Sequence, residues 1–396
     1  MKFIVDAALV VLGLPVLGAA AYLGVATLLS ASPKPPPYQE PRRRFRFVVP
    51  AHNESAGIAG TVESLKGVDY PEALFDVLVV ADNCNDDTAD QARAAGAVVL
   101  ERQDAERRGK GYALALAFSQ LTSDIDAVVV VDADTLVSPN ILRAFAARRD
   151  AGAVAVQADY AVRNPNAGWR TRLIAIAFGS FHIVRSRARE RLGLSCGLRG
   201  NGMCFSTALL AEVPHDAFSV VEDVEYGIRL GEAGYRVHYA DEAHVYGEMV
   251  SSSAAATSQR RRWEEGRREL VKNHAFRLLR KGLAQRNKVL LDLSFDLLVP
   301  PLSRIAVFSA LGAGAASLLA LVSLTPTVAV FAFGGAVVSV SAYVLRGWSV
   351  SGTGLRGLVD LGLSPVYVIW KASLRFRKPA RPTSTWVRTE REQQSQ

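Results

Sequence analysis

Two kinds of apolar pattern divide the chain. Residues 3 to 30 carry one charge, Asp6, and residues 302 to 345 carry one, Arg304. Each region is long enough to cross a bilayer. The second crosses twice, as Leu302 to Ser323 and Thr327 to Leu345 about the uncharged turn Leu324-Thr325-Pro326. Between these regions the apolar runs are short, β-branched and separated by mixed segments. They predict strands over Phe45 to Pro50, Asp76 to Ala81, Ala97 to Glu101 and 127 to 131. Helices are predicted from a Ser55 or Asn53 cap through Leu65, then over 88 to 95 and 111 to 121. Such βαβα alternation makes a parallel sheet with helices on both faces. Beyond it, Ala153 to Ala161 reads as another strand and Val221-Glu222-Asp223 opens a helix reaching Ala233.

Three segments are harder to assign. Residues 165 to 191 combine Trp169, Leu173, Ile176, Phe178, Phe181 and Val184 with a series of arginines, a basic amphipathic helix that suits either a membrane surface or a cleft wall. Val289 to Pro300, interrupted by Asp292 and Asp296, reads as an interfacial helix. So does 357 to 370, or as a re-entrant one, being short and broken by Pro365. The pattern therefore divides into an anchor (1–31), a soluble-type α/β domain (42–250), a basic and interfacial helical segment (251–300), a transmembrane hairpin (301–346) and a tail region (347–396).

Charge orients this plan. The formal net charge is +8. The excess flanks the apolar segments, at Arg42, Arg43, Arg44 and Arg46 and again at Lys371, Arg375, Arg377, Lys378 and Arg381. The positive-inside rule then predicts a multi-pass protein of the cytoplasmic membrane, with the α/β domain cytoplasmic and the N-terminus outside. No nucleic-acid recognition fold accompanies the basic charge, so the expected partners are the bilayer and small anionic substrates. Cys84, Cys196 and Cys204 have no metal-type spacing and fit a reduced compartment.

The candidate chemistry gathers around Asp126-Ala-Val-Val-Val-Val-Asp132-Ala133-Asp134, a buried strand ending in two carboxylates. Hard oxygen ligands at a strand's carboxyl end suit Mg²⁺ or Mn²⁺ carrying a diphosphate. Asp82 ends the second strand, placed for a base or ribose or, equally, as a helix cap. Arg108-Gly109-Lys110-Gly111 offers cations and amides to phosphate at a helix start, without the full Walker pattern. Gly200-Asn201-Gly202 permits close backbone approach. Asp223, with Glu222 beside it, is a candidate general base at a helix N-terminus. On a helix Gln259, Arg262 and Trp263 share a face, joining an amide, a guanidinium and an indole on which a sugar could stack.

In this order these motifs resemble family 2 glycosyltransferases of the GT-A fold, in particular their membrane-integrated, cellulose-synthase-like branch. The resemblance covers roughly residues 45 to 265: Pro50-Ala-His-Asn-Glu54, Asp82, Lys110, Asp132-Ala-Asp134, Gly200-Asn-Gly202, Glu222-Asp223 and the QxxRW pattern at Gln259, Arg262 and Trp263. It implies an inverting hexosyltransferase that uses a nucleotide sugar, with UDP the expected nucleotide. Ala51, Glu54 and Asp82 would hold the nucleoside, Lys110, Asp132 and Arg262 the diphosphate, and Asp134 with Asp132 the metal. Asp223 would be the base, assisted by Glu222. Gly200, Asn201, Gly202, Gln259 and Trp263 would serve the acceptor, a growing polysaccharide or oligosaccharide, or else a lipid or lipid-linked acceptor. A catalytically inactive nucleotide-binding scaffold is the alternative of another class. Val221 stands where the family often has Thr, and the membrane segments are fewer than in polymer-secreting synthases.

Overall fold

Valine-rich runs with charged ends build the sheet. The computed structural model describes residues 2–249, 265–323 and 328–373. After an apolar helix α1 (Lys2–Leu28), the chain enters β1 (Phe45–Ala51), α2 (Ile58–Lys66), β2 (Phe75–Asp82), α3 (Thr88–Ala94) and β3 (Val98–Arg102). It continues through α4 (Lys110–Ser119), β4 (Ala127–Val130), β5 (Thr135–Val137), α5 (Ile141–Asp150) and β6 (Ala155–Val162). β1, β2, β3 and β4 pair in parallel, as their βα alternation requires. The strand side chains alternate between two cores. Phe47, Val49, Val77, Val79 and Val129 pack with α2 and α5, whereas Val48, Leu78, Val80, Val128 and Val130 pack with α4 and later helices. Period-two burial on both faces explains why these runs are continuously apolar.

The second half of the sheet is mixed. After helices α6 (Trp169–Phe178) and α7 (Arg185–Arg191) come β7 (Met203–Ser206), α8 (Thr207–Glu212), α9 (Glu222–Glu232) and β8 (Val237–Gly247). The strand order is β3-β2-β1-β4-β7-β6-β8-β5, with β7 antiparallel to β4 and β6 and β5 antiparallel to β8. The chain leaves β1 towards β3 on one side and returns to β4 on the other, so the switch point lies between β1 and β4. Ligand sites of such sheets form there, at the strands' carboxyl ends.

The helical part follows as α10 (Phe276–Gln285), α11 (Lys288–Leu298), α12 (Leu302–Ser323), α13 (Val328–Val350), α14 (Gly354–Asp360) and α15 (Ser364–Ser373). Among the described residues, Ile4–Leu28, Leu302–Val322 and Val328–Val350 are long and apolar enough to cross a membrane. The third runs five residues beyond the expected Leu345. Asp6 accepts from the amides of Val328 and Ala329 at 3.1 Å, while Arg346 donates to Ser30, so α1 and α13 lie parallel and paired at both ends.

One expectation is corrected and one open choice is decided. Neither Ser55 nor Asn53 caps α2: the N-cap is Gly57, with no side-chain bond, and Asn53 instead sits at φ 55°, accepting from the Asn85 amide. Residues 169–191 form one helical rod with a π-helical stretch at Gly179–Val184, and the rod is an inner wall rather than a surface helix. His182 Nδ1 bonds the Tyr160 carbonyl on β6 at 2.9 Å, and Tyr343 of α13 donates to the Ser180 carbonyl at 2.7 Å. A Cβ on Gly179 would lie 2.5 Å from the Gly347 carbonyl, so glycine lets the rod and α13 touch backbone to backbone. The rod joins the sheet to the apolar helices.

Candidate active site

The end of β1 and the end of β2 form one wall. His52 Nδ1 bonds the Asp82 carbonyl at 2.7 Å, and the Glu54 amide donates to Thr88 at 2.8 Å, which folds the Ala51-to-Glu54 turn over β2. Asp82 is fully buried. Its Oδ1 accepts from Arg102 at 2.6 Å and from Asn83 at 3.0 Å, while Oδ2 has no partner among the described residues. A buried carboxylate oxygen is costly to leave unpaired. It suits a ligand N–H or hydroxyl, and the arrangement is not a helix cap. Arg102 was not singled out by sequence. Its role is set by register, since Arg102 pairs with Asp82 across β3 and β2.

The opposite wall carries the carboxylates. Asp132 and Asp134 follow β4 in a turn closed by the Thr135 amide on the Asp132 carbonyl, and Thr61 bonds the Ala133 carbonyl at 2.9 Å. Asn201, expected on the acceptor side, is instead a fully buried brace: Oδ1 accepts from the Asp132 amide at 3.1 Å and Nδ2 donates to Thr135 at 2.8 Å. Gly200 and Gly202 both have positive φ. A Cβ at Gly200 would lie 3.5 Å from Asp223 Oδ2, and one at Gly202 would lie 2.8 Å from Val245.

Lys110 joins the walls. Its Nζ donates to Asp132 Oδ1 at 2.5 Å and to the Gly200 carbonyl, with Glu222 Oε1 at 3.8 Å. Gly111 allows this approach, because any Cβ there would collide with the Ala217 carbonyl just before α9. Burial opposes the Lys110 charge, but Asp132, Glu222 and Asp223 outweigh it and hold its pKa above the ordinary value. Burial raises the Glu222 carboxyl to about 8 against the pull of Lys110, with the Asp223 charge adding to the rise. Asp223 is likewise raised by burial, offset by the Val224 amide, Lys110 and Arg199. Two carboxylates that resist ionising beside a cation form the kind of pair in which one can take a proton.

Among the described residues no three His, Cys, Asp or Glu side chains gather as a metal cage. Two strand-end carboxylates still fit a divalent ion of the kind that draws its other ligands from water and substrate phosphate. Gln259, Arg262 and Trp263 lie outside the described residues.

A family model described as "Glycosyltransferase like family 2" matches residues 41–266. The chain belongs to that family. Its relatives include "Probable glycosyltransferase YdaM" of Bacillus subtilis, 23% identical over 64% of this chain and 61% of the relative. The "Beta-monoglucosyldiacylglycerol synthase" of Synechocystis is 30% identical over 56% of this chain and 47% of the relative. The chain thus spans about half to three-fifths of the length of these relatives. Among solved structures, a mannosyltransferase, PcManGT, from Pyrobaculum calidifontis, in complex with GDP-Man and Mn²⁺, is similar in fold (TM-score 0.52, 19% identity, 88% of this chain and 97% of that one). Asp82, Lys110, Asp132 and Asp223 all fall inside the matched segment.

Proposed function

We propose that this protein transfers a sugar, with inversion, from a nucleoside diphosphate donor to a lipid or lipid-linked acceptor at the cytoplasmic face of a membrane. The observation that carries the reading is the convergence, at the carboxyl ends of the parallel strands, of a buried Asp82 whose Oδ2 has no hydrogen-bond partner among the described residues, two metal-type carboxylates, Lys110 and the raised Asp223. Asp82 would accept from the base; Ala51 and Glu54 would line its pocket. Asp132 and Asp134 would hold a Mg²⁺ or Mn²⁺ ion, which when bound offsets the charge of the leaving diphosphate. Lys110, already charged, would move from Asp132 towards that diphosphate. Asp223 would take the acceptor hydroxyl's proton as the oxygen attacks the anomeric carbon from the opposite face. Burial raises both Glu222 and Asp223 beside one cation, so the pair would carry a proton between them and Glu222 would assist Asp223 by sharing it.

A polysaccharide acceptor rests on Gln259, Arg262 and Trp263. The lipid acceptor is favoured by the inner helical rod, whose Ser180 bonds Tyr343 of α13 and whose Phe181 lies under Arg199, the arginine that acts on Asp223, and by the name of the Synechocystis relative, a monoglucosyldiacylglycerol synthase.

The test offers radiolabelled nucleotide sugars to membranes containing the protein and partitions the product between organic solvent and water. Label in the organic phase is expected, abolished by EDTA and restored by Mg²⁺ or Mn²⁺, with Asp134→Asn restored by neither. Long water-soluble chains would move the acceptor to polysaccharide. Full transfer in chelator would remove the metal.

A further inference from the structure

Where the rod meets the membrane-type helices lies a second charged cluster that the transfer chemistry does not use. Arg185 and Arg189, one turn apart on α7, face Asp292 and Asp296, one turn apart on α11. Arg185 is 2.8 Å from Asp296, and Arg189 is 3.0 Å from Asp292 and 2.9 Å from Asp296. Arg189 also donates to Tyr22 of α1 at 2.8 Å. Two further guanidiniums reach the same carboxylate region. Arg267 spends its donors on the carbonyls of Asp296, Leu297 and Val299. Arg199 lies 4.3 Å over the Phe181 ring, on which Arg185 also lies at 4.6 Å.

Four guanidiniums therefore act on Asp296, with Asp292 beside it, and one of them, Arg199, also acts on Asp223. Arg185 and Arg189 are almost wholly buried, at 4% and 2% exposure, so solvent does little to offset the excess. Four buried nitrogens, Arg185 Nε and Nη2, Arg189 Nη1 and Arg199 Nε, have no hydrogen-bond partner among the described residues, and neither have Asp292 Oδ2 and Asp296 Oδ1, which meet the arginines as ion pairs. Forked donors with surplus positive charge are the chemistry that recognises phosphate. Location identifies the source. Tyr22 belongs to one membrane-type helix, and Tyr343 of another bonds the same rod. On the other side, Arg199 precedes Gly200, on which a Cβ would lie 3.5 Å from Asp223 Oδ2, and the Arg199 charge acts on that carboxyl.

We propose that Arg185, Arg189 and Arg199 form a binding site for the phosphate of a bilayer lipid and bring its headgroup to the acceptor side of Asp223. The placement beside the base rests on the transferase reading; the binding does not.

The test uses the full chain in phosphatidylcholine nanodiscs without donor. Dioctanoyl phosphatidate, dioctanoylglycerol and inorganic phosphate are titrated by calorimetry, with UDP titrated separately. Phosphatidate is expected to bind one per chain, at least tenfold tighter than the other two. Arg199→Gln should weaken it at least tenfold and leave UDP affinity within about twofold, and Arg185→Lys, which keeps charge but loses the fork, should weaken it less. Equal binding of phosphatidate and dioctanoylglycerol, equal binding of inorganic phosphate, or unchanged binding in Arg199→Gln would each overturn the site. If either variant does not fold, the comparison of the three ligands on the wild type decides alone. Since no donor is present, a failed transfer assay leaves these outcomes unaffected.

Discussion

At the scale of single residues, the site sets charges against burial. Glu222 shows the consequence for stability. Its carboxyl titrates near 8 in the fold and near 4.5 in an unfolded chain, so across that interval the folded state binds more protons and stability falls as pH rises. Buried His182 and His215, lowered to about 3 and about 4, act the other way but finish below about pH 6.5. Between pH 6.5 and 8, metal-free wild type should lose thermal stability, and Glu222→Gln should lose less. Melting curves of both proteins across that window check this; parallel slopes would show that Glu222 ionises normally. Asp82 and Arg102 carry a different lesson. The sequence marks Asp82 as a strand-end acceptor, but the arginine that clamps one of its oxygens is visible only once β2 and β3 are in register.

Elements position these residues, and glycines set their spacing. Gly111 lets α4 start against the loop before α9, which is what brings Lys110 to Glu222 and Asp132. Gly111→Val must displace one backbone or the other. A cost of about 1 to 3 kcal/mol is expected from overpacking, together with at least tenfold weaker UDP binding; chemical denaturation and calorimetry read the two effects. The parallel half of the sheet was legible in the chain because β1, β2 and β4 are valine-rich runs buried on both faces, and β3, the half-exposed edge strand, repeats the βα spacing beside them. β5, β7, β8 and α5 were not. β5 and β7 are three and four residues long, too short for a period to declare itself. β8 interleaves His238, Asp241, Glu242 and His244 with its apolar positions, and those groups find partners, such as Asp159 for His244, only in the folded sheet. Asn201 was legible as a motif but not as a brace. In the same way, Asp292 and Asp296 look like interruptions of an interfacial helix until the arginines of α7 stand opposite them.

At the scale of the whole molecule, the rod over residues 169–191 joins the sheet to helices of which three, among the described residues, are apolar enough to cross a membrane. Asp6 beside Val328 puts the starts of α1 and α13 at one end, with Ser30 and Arg346 at the other. If these three helices are the only spans, cysteines placed near Met1 and near Ser323 should react with an impermeant thiol reagent from outside, and those near Arg346 and Thr383 should not. Labelling at Thr383 would mean that the segment holding α14 and α15 crosses the membrane. The central claim is that this edge of the sheet performs sugar transfer with Asp223 as its base. The direct measurement is UDP affinity by calorimetry beside transfer rate, in wild type and Asp223→Asn. A base that acts on the acceptor touches the nucleotide little, so UDP affinity should stay within about twofold while transfer falls by a factor on the order of 10² to 10⁴. Near-normal transfer by Asp223→Asn would contradict the assignment, and a wild type that binds UDP yet turns over no donor would contradict the transferase itself.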